Sequence, residues 1–145
     1  MRRVTINDRP WAVGLQWHLS NTKPTTAVLR GVAQKEFPDS DMVAFRQRQW
    51  AFGSSHNRIR EWLNVRALGA ALKIPSASFL GLFHLEDHEG EFWWVFALAQ
   101  SLVVGMGDQV FPTRQEADNW IHSLRDLLDF EFDETVVCES VEDSV

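Results

Sequence analysis

The segment of residues 79–98 constrains the fold of this chain more than any other. Two apolar runs flank a short acidic connection that contains a glycine, and this pattern predicts a β-hairpin. The second strand is apolar on both faces, with Phe92, Trp94, Phe96 and Leu98 on one side and Trp93, Val95, Ala97 and Ala99 on the other. A strand of this kind has to be covered on both faces. In a chain this short, we expect another protein to supply one of the two covers.

The composition is that of one globular domain with a high aromatic content. The chain has 145 residues, of which 45% are hydrophobic and 23% charged, with seven Trp, ten Phe and no Tyr. This length is sufficient to bury an independent core. The single cysteine, Cys138, cannot form an internal disulfide, and its isolation fits a reducing compartment.

Neither a secretory signal nor a membrane span is expected. The N-terminal Met-Arg-Arg is not followed by the apolar region of a signal peptide. The longest apolar run, residues 92–99, is far shorter than the roughly 20 residues that cross a bilayer. We therefore expect a cytoplasmic location and no direct insertion of this segment into a membrane.

The charges are divided unevenly along the chain. Residues 1–73 carry 12 Lys and Arg against 5 Asp and Glu, whereas residues 74–145 carry 2 against 15. Seven of these acids lie in residues 129–145, so one interpretation is a solvated tail with ordinary surface charge elsewhere. The other is a domain with a basic and an acidic side that steers charged protein partners. Because the chain is acidic and has no basic run, we do not expect it to bind nucleic acid.

Turn signals and periodicity place the elements that precede the central hairpin. Residues 4–7 and 11–18 are separated by Asp-Arg-Pro and predict a first hairpin. Thr25 or Thr26 can cap a helix that runs to about Glu36, and residues 42–49 predict a strand. A further helical stretch ends before Pro75, with apolar residues at helical spacing: Ile59, Trp62, Leu63, Ala67, Ala70 and Ala71.

The region after the hairpin predicts one more strand and one more helix. The strand covers residues 102–104 and ends in a turn at Gly105-Met-Gly-Asp. Thr113 and Glu116 form the S/T-x-x-E pattern of a capping box, and the helix that follows has one apolar stripe: Ala117, Trp120, Ile121, Leu124 and Leu128. We predict an α+β fold with a mixed or antiparallel sheet built from hairpins and about three helices, in the order ββαβα-βββα. Residues 1–132 form the single globular domain, and residues 133–145 form an acidic, disordered tail.

Several short motifs resemble the PilO pilin accessory proteins of type IVB pilus systems. Trp-Ala-Val-Gly-Leu-Gln-Trp at residues 11–17 is similar to the opening of these proteins. Later motifs follow in the same order: Leu-Gly-Ala-Ala-Leu at 68–72, Phe-Leu-Gly-Leu-Phe at 79–83, Glu-Phe-Trp-Trp at 91–94, Gly-Asp at 107–108, Val-Phe at 110–111 and Glu-Ala at 116–117. The resemblance covers roughly residues 4–128.

The resemblance implies the N-terminal cytoplasmic domain of an inner-membrane protein in the pilus assembly platform. Such a domain would contact other platform proteins and the assembly ATPase, like the cytoplasmic domains of other type IV pilus and type II secretion platforms. PilO-like proteins continue into a transmembrane helix and a periplasmic region, and these 145 residues contain neither. The acidic residues near the end also differ from the basic flank that is usual on the cytoplasmic side of a membrane span.

The residues that could carry chemistry do not assemble an active site in the sequence. His84, Glu86 and His88 alternate at the predicted hairpin tip, where they are either metal ligands or, as we expect, solvated turn residues. Ser54-Ser55-His56 lacks the surroundings of a catalytic nucleophile, and Gly105-Met-Gly-Asp lacks the lysine of a phosphate loop. Cys138 has no basic neighbour that would activate its thiol.

One basic and aromatic group allows two interpretations. The group consists of Arg58, Arg60, Arg66, Trp50 and Trp62. These residues could bind single-stranded nucleic acid by stacking on its bases. We expect instead that they belong to an amphipathic helix whose tryptophan lies in the core.

We therefore predict a non-enzymatic scaffold domain of a type IVB pilus assembly platform, with no catalytic residue, metal or cofactor. Its expected partners are other platform proteins and the assembly ATPase, and a homodimer is a further option. The candidate interface residues are Trp93, Trp94, Val95, Arg46 and Arg48. The alternative is a stand-alone adaptor that binds a protein or peptide and is unrelated to pili. An enzyme ranks third, because it would need several titratable residues that converge in one cleft.

Overall fold

In its described residues, the computed structural model has an α+β fold with mixed and antiparallel sheets and three α-helices, which confirms the predicted fold class. It describes residues 1–19, 25–56, 58–62, 64–74, 76–128, 132, 134–137, 141, 142 and 145. The predictions for Leu63, Pro75 and Cys138 therefore fall outside the described residues.

The strands and helices follow one another in a fixed order along the described part of the chain. The strands are β1 Arg2–Ile6, β2 Arg9–Val13, β3 Gln16–Leu19, β4 Met42–Arg46, β5 Gln49–Gly53, β6 Arg66–Ala67, β7 Phe79–Asp87, β8 Gly90–Ala99, β9 Leu102–Phe111 and β10 Glu134–Val137. The helices are α1 Thr26–Glu36, α2 Leu68–Ala71 and α3 Arg114–Leu128, with a 3₁₀ turn at Ile59–Trp62.

The strands form three sheets that are stacked in layers. The large sheet has the order β10-β7-β8-β9, the middle sheet β1-β2-β6 and the outer sheet β3-β5-β4. Two pairs are parallel, β2 with β6 and β10 with β7, and the other pairs are antiparallel. The large sheet lies between α3 and the middle sheet, and the outer sheet contacts both the middle sheet and strand β9 of the large sheet.

Strand β8 is covered on both faces by this chain itself. The face that carries Trp94 packs with residues of the middle sheet and α2, including Trp11 and Leu68. The face that carries Val95 packs under α3, against Ile121 and Leu124. The expectation that another protein supplies one of these covers is therefore wrong, because the amphipathic helix α3 supplies it.

Small side chains allow the middle and outer sheets to approach closely. Ala12 and Ala67 of the middle sheet form one buried cluster with Ala44 and Ala51 of the outer sheet. A larger residue at any of these positions would have to push the two backbones apart. The outer sheet is also joined to the large sheet through Gln49, which hydrogen-bonds both backbone groups of Val103 at 2.7 and 2.9 Å.

Two predicted strands are divided differently in the structure. Residues 11–18 do not form one strand, because Gly14 has a φ of +82° and separates β2 from β3, which then join different sheets. Residues 42–49 are not one strand either. They contain β4, a tight turn in which Gln47 has a φ of +51°, and the first residue of β5. The sequence pattern of a hairpin was missed here because no Gly or Pro marks this turn.

The predicted turn at Gly105-Met-Gly-Asp is a bulge within β9. The register of β8 against β9 shifts between Phe96 and Leu98, and the strand then continues to Phe111. A Cβ atom on Gly107 would lie 2.6 Å from a methyl carbon of Val104, so the bulge requires glycine at this position. The turn-like composition therefore marks a strand irregularity and not a strand end.

The predicted helical stretch at residues 59–71 contains the 3₁₀ turn, the short strand β6 and the single-turn helix α2. The tail also differs from the expected disorder at Glu134–Val137, which pairs with β7 as β10. Val141, seven residues after the start of β10, is buried in the same core cluster as Trp94.

Both predicted helix caps are present. The N–H of Val28 donates to Thr25 Oγ1 at 3.3 Å at the start of α1, and the N–H of Glu116 donates to Thr113 Oγ1 at 3.3 Å at the start of α3. The Thr113 hydroxyl also donates to the Glu116 carboxylate at 3.0 Å, so the two residues of the S/T-x-x-E pattern contact each other through their side chains. Of the described helices, none is both long and apolar enough to cross a bilayer.

Candidate protein-interaction site

The predicted interface residues lie in two separate places. Trp93, Trp94 and Val95 are on β8, whereas Arg46 and Arg48 are at the end of β4 and in the turn that follows. Trp94 and Val95 are 0% exposed, so neither side chain can contact a partner protein while the domain is folded. The remaining three residues reach the surface.

Trp93 is half-buried at the end of the large sheet that lies near the start of α3. Its ring stacks on His84 with centroids 4.4 Å apart and planes 8° from parallel. The guanidinium of Arg114 lies 5.5 Å from the centroid of the same ring. These contacts occupy part of the indole and leave the rest as a small aromatic surface.

Asp108 is a buried carboxylate at the centre of the layers. It accepts hydrogen bonds from the indole N–H groups of Trp17 and Trp94 at 2.8 and 2.7 Å, and from the N–H of Gly14 at 2.8 Å. Burial raises the pKa of Asp108, and these hydrogen bonds oppose that rise. Since its described partners are all N–H groups of the fold, we interpret Asp108 as a structural link between the sheets and not as a catalytic base.

The outer face is the side of the outer sheet that points away from the middle sheet. Because side chains alternate along a strand, the buried Ala44 and Ala51 place Phe45 and Trp50 on this opposite face. Six residues form it: His18, Phe37, Val43, Phe45, Trp50 and Phe52. Phe52 is buried, Trp50 is half-buried and Phe45 is 42% exposed.

The rings of the outer face contact one another directly. His18 stacks on Trp50 with centroids 4.7 Å apart and lies 5.0 Å from Phe37. Burial lowers the pKa of His18, and the charge of Glu36 opposes this effect. A neutral imidazole is therefore favoured, which suits a ring packed among aromatic neighbours.

Two cations of the outer sheet have no carboxylate partner among the described residues, and Arg46 is turned to the inner side of the sheet with Ala44. Arg46 is half-buried and its Nη1 donates to the carbonyl of Gly69 at 3.3 Å, whereas its Nε atom is buried without a hydrogen-bond partner in the described residues. Burial lowers the pKa of Arg46. Arg48 is exposed, and no described carboxylate lies within 4.0 Å of either guanidinium. An aromatic surface with the exposed cation Arg48 next to it can bind a protein segment that carries apolar and acidic side chains.

A mixed-charge cleft of about 660 Å³ lies between β1, the 3₁₀ turn and the β7–β8 turn. Arg2 and Asp87 pair there through two hydrogen bonds, and this pairing lowers the pKa of Asp87 and raises that of Arg2. Arg58 lies 3.7 Å from the carboxylate of Glu89. Four arginines and three carboxylates line this cleft, and two of the arginines, Arg2 and Arg58, are paired with carboxylates of the same cleft.

The other candidate chemical groups are occupied by structural bonds. Ser55 contacts the carboxylate of Asp41 through both its hydroxyl and its N–H, and Ser54 Oγ accepts from the N–H of His56. Within the described residues, no three His, Cys, Asp or Glu side chains converge in a way that could hold a metal ion. His84 stacks on Trp93 instead of pointing with Glu86 and His88 to one centre.

The prediction from the sequence missed the outer face. The strand predicted over residues 42–49 includes β4, the turn and only the first residue of β5, so Phe45 and Trp50 were not recognised as neighbours across a hairpin. The sequence does contain a signal of this hairpin. Val43 and Phe45 alternate before Gln47-Arg48, and Trp50 and Phe52 alternate after it.

Comparison with solved structures identifies a domain of similar fold. The chain is similar to the crystal structure of the cytoplasmic domain of BfpC, with a TM-score of 0.63 and 23% sequence identity over 96% of this chain and 83% of that one. No family model matches the chain, and no curated protein matches it. At this level of identity the similarity shows a shared fold.

Proposed function

We propose that this chain is a non-enzymatic scaffold domain of a type IVB pilus assembly platform. The observation that carries the proposal is the similarity of its fold, over nearly the whole chain, to the cytoplasmic domain of BfpC. BfpC is a type IV pilus protein. The chain would accordingly act on the cytoplasmic side of the inner membrane and bind other pilus assembly proteins, with the assembly ATPase as one candidate partner.

The positions of the PilO-like motifs support the same proposal. Trp17, Trp94 and Asp108 belong to three motifs that are distant in the sequence, and they meet in one hydrogen-bonded cluster. Motifs that together form the centre of a fold are the ones that a family would need to keep in order to retain that fold. The resemblance to PilO-type proteins is therefore a resemblance in the part of the molecule that positions the sheets.

The surface supports binding rather than catalysis. In the described residues, the serines and acids considered as candidate nucleophiles or bases are engaged in structural hydrogen bonds, including Ser55 and Asp108. By contrast, the outer face presents Phe45 and the edge of Trp50 to solvent. Aromatic side chains of this kind are typical anchors in protein–protein interfaces.

Direct binding measurements test the proposal. The purified chain would be titrated by calorimetry with each cytoplasmic or platform protein encoded in the pilus gene cluster of the same genome. We expect saturable binding to at least one of them, and a Phe45→Asp variant separates the outer face from other surfaces. If the folded chain binds none of these proteins, the proposal is wrong, and binding to an unrelated protein would favour the stand-alone adaptor.

A further inference from the structure

Strand β4 is an open edge of the outer sheet. It pairs with β5 on one side, and no strand of the described residues pairs with its other side. Its sequence, Met-Val-Ala-Phe-Arg, contains no proline, lysine or bulge, and its one charged residue, Arg46, stands at the last position of the strand. Unpaired backbone N–H and C=O groups on such an edge are a template for pairing with another chain.

The segment around β4 is self-complementary when two copies run antiparallel. Centred on Ala44, such a pairing places Val43 of one copy opposite Phe45 of the other, and Met42 opposite Arg46. Residues directly opposite each other share a face, so Val43 and Phe45 would pack together on the two joined outer faces. The 42% exposed ring of Phe45 would be covered in this way.

The charges of the same segment are also arranged in a complementary way. Asp39 and Asp41 precede β4, whereas Arg46 and Arg48 follow its apolar residues. In the antiparallel pairing, the basic end of each copy lies beside the acidic end of the other, so Arg48 comes near Asp39 on both sides of the two-fold axis. The guanidinium of Arg48, which has no described carboxylate partner within one copy, would gain one from the second.

We propose that the chain forms a symmetric dimer with a second copy of itself, in which two β4 strands pair antiparallel about Ala44 and join the outer sheets into one six-stranded sheet.

The dimer goes beyond the proposed function and does not depend on it. Because two five-residue strands bury little surface, the interface falls at the small end of protein–protein interfaces and the association is weak. A symmetric pairing of the same patch on both copies also closes upon itself, so the assembly stops at two copies.

Sedimentation velocity of the full chain over a concentration series, from about 10 to 500 µM, tests the proposal at the dimer dissociation constants expected of a small interface. We expect a monomer–dimer equilibrium that Phe45→Glu abolishes. Arg48→Glu and Asp39→Lys should each weaken the dimer by roughly threefold to tenfold, because each loses two surface ion pairs and creates repulsion. The double variant that carries both changes should recover the wild-type dimer, since it restores opposite charges in the swapped order.

The control is Leu127→Glu, which changes a 79% exposed apolar residue on α3, away from β4. It should leave the dimer unchanged, and hydrogen exchange should show concentration-dependent protection of the β4 amides in this variant as in the wild type. A chain that stays monomeric at 500 µM would overturn the proposal, as would a dimer that Phe45→Glu leaves intact or a double charge swap that fails to restore association. In these cases, binding to pilus assembly proteins would still be testable by the calorimetric titrations.

Discussion

The large sheet and the outer sheet use their aromatic residues in opposite ways. In the large sheet, the side chains of Trp94 and Phe96 are completely buried on the face that packs with the middle sheet. In the outer sheet, Trp50 and Phe45 form a face that Phe37 and its neighbours cover in part. An aromatic-rich strand therefore predicts that its side chains are buried, whereas the elements that pack on its sheet determine how completely they are buried.

Truncation of a tryptophan in the large sheet should have the largest effect. Trp94→Ala removes a fully buried ring and one donor to Asp108, so we expect a loss of about 3–5 kcal/mol in the free energy of unfolding. Urea denaturation measures it. The neighbouring Trp93→Ala is the matched control. Because Trp93 is only half-buried, its truncation should reduce the free energy of unfolding by clearly less. Equal losses for the two variants would contradict the different burial of the two rings.

Replacement of the central carboxylate should have the next largest effect. In Asp108→Asn, one side-chain oxygen is replaced by an NH₂ group that must face an N–H donor, so we expect a loss of about 1–3 kcal/mol in the free energy of unfolding. Urea denaturation at a fixed pH measures this loss.

The pH dependence of the stability of the wild type and of Asp108→Asn gives a second test. Because burial raises the pKa of Asp108 in the folded state, the unfolded chain loses the proton first as the pH rises above the ordinary Asp value. The wild type should therefore lose stability relative to Asp108→Asn through that pH range and stay level above the raised pKa. A stability difference between the two proteins that does not change with pH would contradict this account.

Protonation of His18 should weaken the outer sheet by a smaller amount. Burial lowers the pKa of His18, so as the pH falls below about 6.5 the unfolded chain takes up a proton more readily than the folded chain. Stability should decrease over this range, and His18→Phe should remove that part of the decrease. His122→Asn, a change at an exposed residue of α3, serves as the control. An identical pH profile for His18→Phe and the wild type would show that the aromatic cluster tolerates the charge.

Truncation on the outer face should have the smallest effect on stability. Phe45→Ala removes a ring that is already 42% exposed, so we expect a change of less than about 0.5 kcal/mol in the free energy of unfolding of the monomer. Urea denaturation at low protein concentration measures it. A loss comparable to that of Trp93→Ala would mean that the outer face contributes to the core as the large sheet does.

Local signals in the sequence identified the elements whose structure is set by neighbouring residues. The caps at Thr25 and Thr113 bond to N–H groups three residues away, so each signal and its partner lie within one turn of helix. The β7–β8 hairpin was likewise visible as two apolar runs about one acidic turn, and its register runs from Phe79 with Leu98 to Asp87 with Gly90. These predictions needed no knowledge of distant parts of the chain.

The candidate site could not be predicted in the same way, because it depends on which layers are stacked. Val95 and Trp50 are both apolar strand residues, but Val95 is fully buried under helix α3 whereas Trp50 is only half-buried. The turn at Gln47 also lacks glycine or proline, which hid the hairpin that brings Phe45 beside Trp50. Two of the five predicted interface residues therefore lie in the core, and Phe45 was missed.

The apolar faces of residues 79–98, the helix caps and the fold class were determined by the sequence alone, since alternation and capping are local properties. The tertiary structure decided what covers those faces. It brought Trp17, Trp94 and Asp108 together from segments that are up to 91 residues apart, and within the described residues it left the second edge of β4 unpaired. The physical reason is that burial depends on contacts between distant segments, whereas a strand pattern states only that burial is required.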